Sequence, residues 1–116
     1  ARLSFDSNGL FETSENGSYT FVNRSFIQLM GASSPEECLN WGWKNFVHHM
    51  NKREMIEEWE HCVEDGRDFK MFVKFITPRL EIKCAFVEAF AQKDKNGVLL
   101  GYVGCVMEKE PSFCET

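Results

Sequence analysis

The residues of this chain that could do chemistry are five cysteines, three histidines and a crowd of carboxylates. Cys38, Cys62, Cys84, Cys105 and Cys114 could pair, hold zinc or supply a thiolate. Their number is odd, they lie far apart and no two form a C-x-x-C pair, so they make neither a disulfide framework nor a zinc signature. Four of them sit in apolar stretches, where cysteine behaves as a small buried hydrophobe. His48 and His49 are adjacent, cannot easily point at one metal, and would need a third ligand from afar. His61 falls by helical spacing near Glu57, Glu58, Glu64 and Asp65, which makes it a solvated surface residue rather than an axial ligand for haem iron. With no Ser/His/Asp or Cys/His arrangement, no phosphate-binding glycine loop and no paired carboxylates on a pocket face, neither a metal site nor an enzyme is expected.

The elements that position these residues follow from local signals. Leu10 to Ser14 and Tyr19 to Val22 are short β-type runs around the Asn16-Gly17 turn signal, a hairpin. Asn23 reads as the N-cap of a helix over Arg24 to Met30, stopped by Gly31. A second helix is expected from Ser34-Pro35-Glu36-Glu37, with Ser34 as cap and Glu37 completing a capping box, ending by Gly42. Asn51 opens the longest helix, in which Met55, Ile56, Trp59, Cys62 and Val63 form an apolar stripe backed by Glu57, Glu58, Glu60, Glu64 and Asp65, down to Gly66.

From Asp68 the period changes to two. Phe69, Met71, Val73 and Phe75 alternate with Lys70, Phe72 and Lys74, and Leu80, Ile82, Cys84 and Phe86 alternate with Glu81, Lys83, Ala85 and Val87. Pairing Phe75 with Leu80 around the four-residue loop Ile76 to Arg79 puts the two apolar rows on one face and Lys74 opposite Glu81. Continued alternation would then turn Glu88 inward between Phe86 and Phe90, where an unpaired carboxylate is costly. Either a β-bulge swings it outward, or it is a ligand-facing acid with a shifted pKa. Asp94 to Gly97 marks another turn, and Val98 to Met107 is a strand apolar on both faces, which belongs in the middle of a sheet.

A chain of 116 residues with 43% hydrophobic residues can bury one core. Its net charge of −5 disfavours nucleic acid as a partner. No stretch approaches the roughly 20 apolar residues of a membrane span, and no basic-then-apolar signal segment opens the chain. One domain over residues 1–110 is expected, soluble, cytoplasmic and without direct membrane contact, followed by a tail over 111–116 toward an output domain.

From about Asn8 to Glu110 the chain resembles a PAS domain of bacterial sensor histidine kinases and diguanylate cyclases. Glu15-Asn16-Gly17 matches the hairpin D-x-x-G, Val22-Asn23 the V-N junction, and Met30-Gly31 the end of the first helix. Trp43 with Phe46-Val47-His48 resembles W…V-H-P-x-D, Trp59 and Gly66 the W…G of the long helix, and Gly101-Tyr102-Val103-Gly104 the G-x-x-G of the last strand. The chain departs from the family at His49 and Asn51, at the turn Thr77-Pro78-Arg79, which lacks the usual glycine, and at Glu108-Lys109-Glu110, where the family often carries Asp-Ile-Thr.

The resemblance implies an α+β fold, a five-stranded antiparallel sheet of order 2-1-5-4-3 with short helices on one face. It implies a non-enzymatic, signal-sensing domain that binds a small ligand or dimerises to control an output domain. The alternative is a ligand-free interaction module with a filled core. Ligands of this fold sit between sheet and helices. The expected lining is Phe26, Met30, Trp43, Phe46 and Trp59 from the helical side. Met71, Val73, Ile82, Cys84, Phe86, Glu88, Tyr102, Gly104 and Val106 would line it from the sheet. Flavin is disfavoured, since Asn40 to Phe46 lacks the adduct-forming cysteine, the flavin-reading glutamine corresponds to Val106, and no asparagine occupies the inner rows of the two strands before it. Haem is disfavoured by His61. The opposite face would carry Phe72, Ala85, Val87, Ala89, Val103, Cys105 and Met107, too apolar to stay in water. A homodimer through that face is expected, or a flanking helix, since only Ala1 to Ser7 precede the first strand.

Overall fold

The computed structural model describes residues 8–110; the expected tail and Cys114 lie outside them. Two strands, β1 (Gly9–Thr13) and β2 (Tyr19–Val22), form the first hairpin. Ser14 and Ser18 close its turn, and Gly17 sits at φ 89°. Asn23 caps α1 (Arg24–Met30), its Oδ1 accepting from Phe26 N at 2.9 Å and from Leu10 N at 2.9 Å, so one side chain ties helix to strand. Gly31, at φ 68°, ends α1 by donating to Gln28 O while Ala32 donates to Ile27 O.

The expected second helix is only a 3-10 turn over Pro35–Glu37. Ser34 makes no side-chain cap; the Glu37 carboxylate instead accepts from Ser33 N at 3.1 Å, and a second 3-10 turn, Gly42–Phe46, follows. The long helix, α2 (His49–Asp65), begins two residues before Asn51. His48 is its cap, with Nδ1 accepting from Met50 N at 3.1 Å. Asn51 is used elsewhere, its Oδ1 accepting from Lys74 N at 2.7 Å on the edge strand. At the far end Arg67 donates back to Cys62 O, with Gly66 left-handed at φ 67°.

The His48 cap carries a pH dependence. Burial, then His49 and Lys74, lower the His48 pKa below 6.5, so between the folded and unfolded pKa values the unfolded chain binds more protons and stability rises with pH. The contribution is complete above the unfolded pKa and is lost as pH falls through the folded one. Urea midpoints measured between pH 7.5 and 5 should therefore fall more steeply for the wild type than for His48→Asn, which keeps a capping oxygen but does not titrate.

β3 (Phe69–Ile76), β4 (Ile82–Lys93) and β5 (Leu99–Lys109) form a meander, and the whole sheet runs β2-β1-β5-β4-β3, antiparallel throughout. β5, apolar on both faces, is the central strand. The helices collect on one side. The β3–β4 register differs from the expected one by three residues: Ile76 pairs with Ile82, Phe75 with Lys83 and Lys74 with Cys84. Thr77 N donates to Glu81 O at 2.9 Å and Leu80 N to Thr77 O at 2.8 Å, leaving Pro78, Arg79 and Leu80 as a three-residue loop. Leu80 takes the left-handed position at φ 68° that ends a loop of this length. Because side chains alternate, an odd shift exchanges the faces of β4. Ala85, Val87 and Ala89, at 0%, 1% and 0% exposure, point into the core, and the row Ile82, Cys84, Phe86, Glu88, Phe90 belongs to the other face.

Candidate functional site

The layer between sheet and helices is packed with rings. Phe11 stacks on Tyr19 with centroids 4.6 Å apart and planes 4° apart, and Tyr19 stacks on Trp43 at 5.2 Å. Phe26 meets both Phe11 and Tyr19 edge-on near 6 Å. A second cluster joins α2 to the sheet: Trp59 packs edge-on against Phe69 at 5.5 Å and tilted against Tyr102 at 4.8 Å. Phe11, Phe26, Trp43, Trp59 and Tyr102 are each at most 4% exposed. Phe11 can lie flat on the sheet because Gly104 has no side chain; a Cβ there would enter the Phe11 ring and come within 2.7 Å of Glu88 O.

Polar atoms in this layer are nearly all satisfied. Tyr102 Oη lies 2.9 Å from Cys62 O and 2.8 Å from Arg67 O, so its one proton serves two carbonyls at the end of α2. Burial, with the Cys62 thiol next, pushes the Tyr102 pKa up to about 12, and the phenol stays a donor. Tyr102→Phe, which strips both carbonyls of their donor, should cost about 1–3 kcal/mol in urea unfolding. Burial likewise pushes Cys38 and Cys62 up to about 11, keeping both as unreactive thiols. One exception stands among the described residues: Trp43 Nε1 is buried with no hydrogen-bond partner.

The structure brings together Phe26, Met30, Trp43, Phe46, Trp59, Val73, Tyr102, Gly104 and Val106 as buried residues on the helical side of the sheet, with Met71 half-buried. It removes Ile82, Cys84, Phe86 and Glu88 from that lining. Ile82 is exposed at the start of β4, and Cys84, though buried, shares the outer row with Phe86. Glu88 pairs across the strands with Lys70 and Cys105 and is turned outward by plain register, without a bulge at that point; the irregularity of β4 lies between Gln92 and Lys93. The idea of Glu88 as an inward acid is thereby corrected. His61 is exposed, and no group of three metal-binding side chains occurs among the described residues. Phe11, Tyr19, Val22 and Cys38 join the inner layer without having been singled out from sequence, although Phe11 does alternate with Leu10 and Glu12 as an inward residue should.

The outer face reads in rungs. Phe21, Glu12, Val103 and Phe90 form one; Leu10, Cys105, Glu88 and Lys70 form the next; Met107, Phe86 and Phe72 form a third, with the Phe72 and Phe86 rings 4.8 Å apart. Leu10, Phe21, Phe72, Phe90 and Val103 are 39–47% exposed. Of the residues assigned to this face from sequence, Phe72, Val103, Cys105 and Met107 lie on it; Ala85, Val87 and Ala89 do not, for the register reason given above.

A family model described as the PAS fold matches residues 19–106. The chain belongs to the PAS family. Its sheet order and helix placement are those of a PAS domain, and two solved structures are similar over nearly its whole length. One is a light-oxygen-voltage domain studied with a flavin analogue, with 13% identity and TM-score 0.79, covering 96% of this chain and 84% of that one. Another is the PAS domain of a protein from Colwellia psychrerythraea, with 15% identity and TM-score 0.72, covering 91% of each chain. At such identities the likeness shows the fold alone. No curated protein matches the chain. As a PAS domain it is a sensory and signalling fold, and no helix among the described residues is long and apolar enough to cross a membrane.

Proposed function

We propose that this PAS domain is a regulatory module that controls an output domain through a homodimer formed by the outer face of its sheet, with the inner layer filled by its own side chains. The observation that carries this reading is the three-rung apolar outer face, in which five large hydrophobic side chains stand more than a third exposed. A second copy suits it because a two-fold contact matches a patch with itself. Glu12, Glu88 and Lys70, scattered among the apolar rungs, supply both signs of charge for such a match. A net charge of −5 supports a protein partner over a nucleic acid. The output domain in this reading is a histidine kinase or a diguanylate cyclase, supported by the resemblance of the chain's motifs to those of sensor domains in such signalling proteins.

The filled inner layer supports action by packing rather than by a resident cofactor. A light-sensing flavin site would need an adduct-forming cysteine in Asn40 to Phe46, where none stands, so the residues present do not fit that photochemistry. A second reading is favoured by one atom: the partnerless Trp43 Nε1 would donate to a small ligand carrying an acceptor oxygen. Native mass spectrometry of the freshly purified protein tests both. A species of twice the chain mass with no adduct supports the first reading. A bound small molecule favours the second, and a monomer at all concentrations overturns the dimer.

A further inference from the structure

A surface groove of about 420 Å³ lies between the β1–β2 turn and the second half of α2, and touches the inner layer only at Trp59. That volume is at the lower end of what small ligands and side chains occupy. Asn16 of the turn and Trp41 line it together with Trp59, Glu60, His61, Val63 and Glu64 of α2. Trp41 is 41% exposed, although tryptophan is the side chain with the most apolar area to hide. The backbone just before it is anchored. Asn40, left-handed at φ 57°, exchanges two backbone hydrogen bonds with Tyr19, at 2.8 and 3.0 Å, so the residue before Trp41 is paired with the start of β2.

We propose that this groove binds an arginine-bearing segment of a partner protein. Two features select a cation. The Trp41 indole is a surface on which a cation stacks, as Lys44 Nζ does 4.8 Å from its centroid, so an arriving guanidinium takes the ring's other face or displaces that ammonium. The facing carboxylates are also unspent: Arg53 and Arg67 are taken by Glu57, Glu58 and Asp65, whereas among the described residues Glu60 and Glu64 have no ion-pair partner. Glu60 and Glu64 stand one helical turn apart on the side of α2 that lines the groove. Arginine suits the pair better than lysine, because its planar guanidinium can stack on an indole and donate to carboxylates in the same plane. Charge complementarity thus names the occupant, and the acidic balance of the chain steers it in.

Titrating the ¹⁵N-labelled protein with an Arg-Gly-Arg-Gly-Arg peptide tests this by chemical shift. The expected result is saturable shifts at the Trp41 indole and at Asn16, Glu60 and Glu64, weakened about tenfold by Trp41→Ala and by the pair Glu60→Gln with Glu64→Gln. Binding should also weaken on raising salt from 50 to 300 mM, roughly a halving of the screening length or more. Trp41, Glu60 and Glu64 are exposed, so the variants should keep the wild-type spectrum elsewhere. The same peptide with citrulline for arginine should leave the groove unshifted. Equal shifts from the citrulline peptide, no saturation by the arginine peptide, or wild-type affinity in both variants would overturn the proposal.

Discussion

Phe11→Ala is expected to lower the unfolding free energy by about 3–5 kcal/mol, the range for removing a buried aromatic ring. Phe11 is 2% exposed, stacked on Tyr19, edge-on to Phe26 and seated over Gly104, so its loss removes contacts on every side. Collapse into the gap is limited, because Tyr19 stays stacked on Trp43 and its backbone stays paired with Asn40. The variant should therefore hold a cavity in the layer between sheet and helices, and benzene should raise its melting temperature while leaving the wild type unchanged. Urea unfolding measures the first effect and a thermal melt with and without benzene the second. A loss under about 1 kcal/mol would show that the ring is not part of the core.

Gly104→Ala approaches the same contact from the other side. Its Cβ would meet the Phe11 ring and, at 2.7 Å, the carbonyl of Glu88 on the neighbouring strand. The ring can shift only against Tyr19 and Phe26, and the carbonyl belongs to the β4–β5 ladder. A destabilisation of about 1–3 kcal/mol or more follows, the cost of overpacking a close-packed layer. Because the two substitutions act on one contact, they should not add: the double variant should recover at least about 0.5 kcal/mol relative to the sum of the singles. Full additivity in urea unfolding would place the two residues apart.

Much of this arrangement is legible in the residues. Asn23 and Gly31 bound α1 because a capping side chain and a left-handed glycine are local, obligatory chemistry. β5 reads as the central strand because both its faces are apolar, and the stripe from Met55 to Val63 predicts the buried side of α2. Capping by His48 was hidden because histidine is an uncommon cap and Asn51 a common one, while the structure spends Asn51 on Lys74.

The largest miss, the face of β4, has a clear origin. Ile82, Cys84 and Phe86 look more like a core row than Ala85, Val87 and Ala89, yet the smaller residues are the ones the structure buries against the inner layer. Register was decided by Leu80 in a left-handed turn position, where glycine would have signalled it and leucine does not. The apolar row displaced from the core is what gives the outer face its half-buried Phe86 and exposed Phe90. Ring stacking of Tyr19 on Trp43 joins positions distant in sequence and leaves no periodic trace.

Sedimentation equilibrium of the wild type beside Val103→Glu reads the outer face most directly, since Val103 sits on β5, the middle strand, between Glu12 and Phe90. The account predicts a reversible wild-type dimer and a folded, monomeric variant, its new carboxylates being unable to enter an apolar two-fold contact without neutralising charge. A wild type that stays monomeric, or a Val103→Glu variant that dimerises as tightly as the wild type, would contradict it.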